Sequence, residues 1–203
     1  MTKEIHHHHD DSCFRDGTLV WITSRDGTFV SQAPIETIKC GDTILAASEH
    51  GLIVQQPVVY TSNHAPDYFK FIKITLHSGK SVSPTKNHYM PVLVNGKPEL
   101  KLAEQVQPGD VFWSRSSDDQ TGQDEVIAVS HVVEKAGSTH VIIPEGYLLV
   151  NDIAGSSRAI GDMSETLTNL GFLIYKTLGT NATIKFAKFG DWWSETWMDR
   201  MLP

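Results

Sequence analysis

Cysteine is scarce in this chain. Among 203 residues only Cys13 and Cys40 carry a thiol, which excludes a disulfide-built scaffold and a cysteine-rich zinc site. A single bridge between the two stays open at this level. Long apolar runs are also missing. No stretch reaches the roughly 20 apolar residues that a membrane-spanning helix needs, and residues 1–11 have no apolar centre of the signal-peptide kind. Positive charge is in short supply too: 17 Lys and Arg face 24 Asp and Glu, a net charge of −7, with no basic block. Phosphate binding needs clustered positive charge, so nucleic acid is not an expected partner. The ten histidines show no spacing of the helix-borne or zinc-finger kinds, so neither a metal site nor a cofactor is expected. The His6–His9 run reads as tag-like or incidental, with metal binding as the alternative.

What is present is ordinary globular material, 40% hydrophobic and 20% charged. The length suits one domain with an appendage, expected to be a monomer, and can bury a real core. Residues 13 to about 155 read as β. Short runs rich in Val, Ile and Thr recur at Thr18–Thr23, Ile53–Tyr60, Phe71–Leu76 and Val126–Val133. Turn signals separate them at Asp16-Gly17, Asp26-Gly27, Ser78-Gly79, Asn95-Gly96 and Glu145-Gly146. Asn95-Gly96 stands between two apolar runs and predicts a hairpin. The expected body is an all-β sandwich or barrel.

An internal repeat lies across that body. Ile35–Leu45, with Gly41-Asp42, resembles Leu102–Phe112, with Gly109-Asp110. In each copy spaced apolar residues precede a Gly-Asp turn and a β-like run, because Gly permits the tight turn and Asp can bond the backbone beyond it. Duplication of a β unit explains this better than chance. After Ala154 the pattern changes. Met163, Leu167, Leu170, Ile174 and Leu178 share one helical face, with Gly179 as a stop. A second stripe, Phe186 to Met201, includes Trp193 and Trp197 beside Trp192. Such a tail either docks on its own core or lies on a membrane.

Two places could carry chemistry. Cys13 stands where a polar leader meets the first strand, as required of a nucleophile that attacks its own preceding carbonyl. In Ser83-Pro84-Thr85-Lys86-Asn87-His88, the Thr hydroxyl and the imidazole can converge on one peptide bond. Taken alone, that segment is better explained by a turn with an ordinary histidine. His64 reads as a surface-loop histidine, and His77, His131 and His140 show no partner pattern.

Taken together, these pieces resemble the Hint module shared by Hedgehog autoprocessing domains and inteins. The ordered match runs through Cys13-Phe14-x-x-Gly17-Thr18, the Gly41-Asp42 segment, Phe71–Leu76, Thr85-x-x-His88, the Gly109-Asp110 segment and Gly146–Ala154. It covers residues 13–158 and implies a pseudo-twofold, horseshoe-like β fold, with residues 1–12 as the segment to be cleaved. Residues 159–203 would then stand in the place of the sterol-recognition region. Inteins that splice end on His-Asn before Cys, Ser or Thr. Here Asn151 precedes Asp152-Ile153-Ala154-Gly155-Ser156-Ser157 and no His comes before it, so the ending is closer to the Hedgehog type.

The resemblance implies a mechanism. Cys13 attacks the Ser12 carbonyl and makes a thioester, Thr85 and His88 polarise the bond and protonate the departing amine, and a second nucleophile takes the N-terminal segment. In Hedgehog proteins that nucleophile is cholesterol, activated from a loop before the Phe71 strand. The matching position here is His64 counting from one side and Ser62 from the other, with Asp67 in reserve; His64 is preferred because a serine is no base unaided. The implied partners are the chain's own leader, a sterol or other small nucleophile, and a membrane against the tail. A secretory location follows from the resemblance alone. Ser12 departs from the glycine usual before the nucleophile.

Overall fold

The computed structural model describes residues 12–24 and 30–157, together with Thr177, Gly179 and Lys185. The His6–His9 run, the Asp26-Gly27 turn and both apolar stripes of the tail lie outside the described residues. Thr177 and Lys185 are helical, and Gly179 has the left-handed φ of 81° expected of a helix stop.

Thirteen strands are described: β1 (Phe14–Arg15), β2 (Leu19–Thr23), β3 (Val30–Pro34), β4 (Thr43–Ala47), β5 (Ile53–Pro57), β6 (Tyr60–Leu76), β7 (Ser81–Val82), β8 (Tyr89–Val94), β9 (Lys97–Leu102), β10 (Val111–Arg115), β11 (Thr121–Ile142), β12 (Tyr147–Val150) and β13 (Ile153–Gly155). One sheet runs β3-β2-β4-β12-β13-β10-β11-β6-β7, with β1 added on β11 and β5 on β4, and β8–β9 form a separate hairpin. The body is all-β, as expected. Asn95 and Gly96 turn the β8–β9 hairpin with φ of 52° and 76°, the left-handed pair a two-residue turn requires.

The duplication is structural. In each copy a hairpin leads into a single 3-10 turn, Ile35–Thr37 or Ala103–Gln105, flanked by residues with nearly equal dihedrals. The Asp42 carboxylate accepts the Lys39 N–H at 2.9 Å, and the Asp110 carboxylate accepts the Gln107 N–H at 2.9 Å. Val58 N–H then bonds the Asp42 carbonyl, and Val126 N–H bonds the Asp110 carbonyl. Gly41 and Gly109 hold φ of 95° and 93°, where a side chain would be strained.

Two sequence readings are corrected. Phe71–Leu76 and Val126–Val133 are not short strands but parts of β6, with 17 residues, and β11, with 22. These pair from Leu76↔Val126 to Tyr60↔Ile142, so His64 lies on a strand rather than in a loop. The polar run Ser62–Asp67 hides this, because one arm of the pair faces water and is held by the backbone ladder. Pro66 is tolerated where the register slips beside Gly137. Second, Gly146–Ala154 is two strands, reversed at Asn151 and Asp152 with φ of 49° and 64°. The bridge that the sequence left open is absent: Cys13 and Cys40 form no disulfide.

One apolar cluster runs through the body, from Phe14 and Ile35 through Ile72, Ile74, Met90 and Phe112 to Leu148 and Ile153. Each fully buried side chain of this size contributes about 1.5–3 kcal/mol. Phe14 and Met90 belong to this core, and each lies within two residues of the Cys13–His88 region.

Candidate functional site

The site is built at the short strand β1. Phe14 and Arg15 pair with Thr139 and Ser138 of β11. On the other side Phe14 bridges Pro84, and Arg15 N–H bonds the Ser83 carbonyl at 3.1 Å. Cys13 and Ser12 are thereby drawn inside: both are buried, at 0% and 1% exposure. The polar leader therefore enters the core at the residue that bears the thiol.

Thr85 grips Cys13 by three bonds. Its N–H donates to the Cys13 carbonyl at 2.9 Å. Its hydroxyl accepts the Cys13 N–H at 3.1 Å and donates to the Cys13 carbonyl at 3.3 Å. That N–H belongs to the Ser12–Cys13 peptide bond. The turn from Thr85 to His88 is closed by His88 N–H on the Thr85 carbonyl at 3.0 Å, and this turn places the imidazole against Ser12. His88 is fully buried, its ring 4.1 Å from that of Phe14.

The tautomer of His88 follows from its partners. Nε2 lies 2.9 Å from the Ser156 carbonyl, which can only accept, so Nε2 carries the proton. Nδ1 then offers its lone pair to the Ser12 hydroxyl at 2.9 Å. Burial first, and then the charge of His140, lower the His88 pKa to about 3, against the pull of the Ser156 and Ser12 backbone carbonyls. The imidazole is therefore neutral across the physiological range. It holds a single ring proton, which this pairing puts on Nε2.

Sequence reasoning missed His140, Ser156 and Ser157 as parts of this centre. His140, buried on β11, points Nε2 at the Ser157 carbonyl at 3.3 Å, and its ring stands edge-on to Tyr60 at 6.4 Å. Two imidazoles thus hold two successive carbonyls of the segment leaving β13. Only the pairing of β11 with β6 and β1 brings His140 here, and no local spacing signals it. Phe14 fills the space beneath: a Cβ on Gly155 would stand 2.5 Å from its ring tip.

The three residues weighed as activators fall apart in space. Arg15, Ser138 and His64 form one row across β1, β11 and β6. With strands about 4.8 Å apart, His64 is roughly 10 Å from Arg15, across β11. Ser62 pairs with His140, nearer Cys13, and Asp67 is exposed opposite Ala136. Asp16, just past β1, takes the Thr139 hydroxyl at 2.8 Å, and burial raises its pKa. Among the described residues no group of three or more His, Cys, Asp or Glu could hold a metal ion. No helix among them is long and apolar enough to cross a membrane.

A family model for the Hint module matches residues 5–196. The chain belongs to the Hint family. Among solved structures this Hint chain is similar to an intein from a hyperthermophile, at 14% identity and a TM-score of 0.60, covering 71% of this chain and 99% of the intein. It is also similar to a bacterial intein-like domain from Clostridium thermocellum, at 18% identity and 0.54, over 71% and 98%. The Ssp DnaB mini-intein variant M86 matches at 14% identity and 0.58, over 74% and 96%. At such identities the likeness speaks for the fold, and it agrees with the horseshoe-like duplication. A search of curated proteins finds no match.

Proposed function

We propose that this Hint module cleaves its own chain between Ser12 and Cys13 through a Cys13 thioester, and passes the N-terminal segment to a small nucleophile. Hint domains and inteins are self-processing as a class. The observation that carries the finer reading is the Thr85 hydroxyl on the Cys13 N–H at 3.1 Å, with the His88 Nδ1 lone pair on Ser12.

The Cys13 sulfur bonds to the Ser12 carbonyl carbon, and the Ser12–Cys13 C–N bond breaks. His88 takes the thiol proton at Nδ1 and gives it to the departing nitrogen, so one proton serves both events. Thr85 fixes the nitrogen and the Cys13 carbonyl while the bond breaks. A nucleophile then attacks the thioester and Cys13 regains its proton. The acceptor suggested by the Hedgehog resemblance is a sterol, activated from His64, with residues 159–203 against the lipid; water or a thiol is the alternative, which makes the reaction self-proteolysis.

Cleavage is favoured over splicing by the state of Asn151. Its carboxamide oxygen accepts the Leu19 N–H at 2.7 Å, and its amide donates to the Ser81 carbonyl at 2.8 Å. An amide held at both ends in a hairpin turn is poorly placed to cyclise.

The test is the full chain extended upstream of Ser12 by a reporter domain. Incubation with dithiothreitol should release the reporter ending at Ser12, as read by mass spectrometry. Sterol added in place of thiol should raise the fragment mass by one sterol less one water. Release without that increment assigns water as the acceptor, and release identical in C13A refutes the thioester.

A further inference from the structure

Three buried polar atoms among the described residues have no hydrogen-bond partner: Trp113 Nε1, Arg115 Nε and Ser138 Oγ. The first two belong to β10, which pairs with the Thr121–Glu125 end of β11. Trp113 packs against Gly51, and the other nitrogens of Arg115 bond Asp119 and Asp152. Ser138 is different. It is fully buried, at 0% exposure, at the opposite end of β11, in the strand that carries the site. Unpaired buried hydroxyls are rare in native proteins.

Its surroundings are set by the strand register. Arg15, Ser138 and His64 form one row, and directly opposed side chains share a face of the sheet. Continuing the Phe14↔Thr139 pairing by one residue sets Cys13 opposite His140, which itself pairs with Ser62. Cys13, His140 and Ser62 are thus the next row on that same face. Diagonal neighbours in such a sheet stand about 7–8 Å apart, within reach of each other through one intervening group. Ser138 therefore lies directly beside His64 and diagonal to Cys13. The row reaches water at its two ends, through the half-exposed Arg15, bound to Glu134 at 2.6 Å, and through the partly exposed His64.

We infer that Ser138 is the contact for the second nucleophile, and that the nucleophile is a hydroxyl compound, an alcohol or water. This rests on the thioester reading above and names the group that receives its acceptor. The Ser138 hydroxyl donates to the acceptor oxygen and holds it between His64 and the thioester. The acceptor oxygen bonds to the Ser12 carbonyl carbon, its proton passes to His64, and the carbon–sulfur bond breaks. The Cys13 thiolate then takes that proton, leaving an ester or an acid and the free thiol. A thiol acceptor such as dithiothreitol attacks through the thiolate fraction that solvent already supplies, and has little need of the serine.

The experiment compares two rates in the reporter-extended full chain: cleavage by dithiothreitol, and cleavage by hydroxyl acceptors, with sterol in detergent as one arm and water alone as the other. For S138A the ratio of hydroxyl to thiol cleavage should fall about tenfold, the loss of one directed hydrogen bond. The arm that shows the fall names the natural acceptor. An unchanged ratio overturns the inference, including the case where both rates fall together through damage to the fold. A wild type that dithiothreitol cleaves but neither sterol nor water resolves overturns it as well. A wild type that dithiothreitol does not cleave at Ser12–Cys13 refutes the thioester reading instead, so the two failures are distinct.

Discussion

At the scale of single residues, the Ser12–Cys13 bond is held by one hydroxyl and one imidazole whose states follow from burial. His88 is fully buried and its pKa is about 3, against an ordinary value of 6.5. Below pH 6.5 the unfolded chain binds a proton at this histidine that the folded chain refuses. The stability contribution is therefore complete above 6.5 and is lost as pH falls toward 3, at up to about 1.4 kcal/mol per pH unit. Urea midpoints measured from pH 7 to pH 4 should fall more steeply for wild type than for H88Q; equal slopes would contradict the buried neutral state. Thr85 should act through its hydroxyl. T85A should slow dithiothreitol cleavage by about 100-fold, T85S should retain most of the rate, and timed mass spectra check both. Thr85 and His88 were legible in the sequence because the ordered motifs around them resemble the Hint module, within which one short turn carries both. His140 was not, since it reaches the centre only through pairing with distant strands.

At the scale of elements, Phe14 joins the first strand to the last. Its ring lies against His88 on one side and Gly155 on the other. G155A should overpack this contact, lowering stability by about 1–3 kcal/mol and slowing thioester formation, because the displaced Phe14 carries Cys13 with it. Denaturation and dithiothreitol cleavage of the same variant measure both effects. The two Gly-Asp turns should differ in weight. Asp42 closes its own turn, whereas Asp110 also takes Lys101 Nζ at 2.7 Å. D110A should then cost more than D42A, each on the order of 1 kcal/mol, by urea titration. Both turns were readable from sequence, since Gly and Asp have a local job there. The length of β6 and β11 was not, because Ser62–Asp67 carries neither alternation nor apolar content and is kept extended by a partner strand some 70 residues away.

At the scale of the molecule, the duplicated all-β body brings the leader, the Thr85–His88 turn and the exit after β13 to one buried point. The ordered motifs foretold that convergence, and the Hint family match agrees with it. They did not foretell how the exit is fastened, with the Ser156 and Ser157 carbonyls under His88 and His140. The fold thus ties the chain's departure from the module to the histidine that contacts Ser12. The most direct test of the central claim is intact-mass analysis of the reporter-extended chain and its C13A variant after dithiothreitol. Wild type should yield one fragment ending at Ser12 and one beginning at Cys13, and C13A should stay whole. Wild type that persists uncleaved, indistinguishable from C13A, would contradict the account.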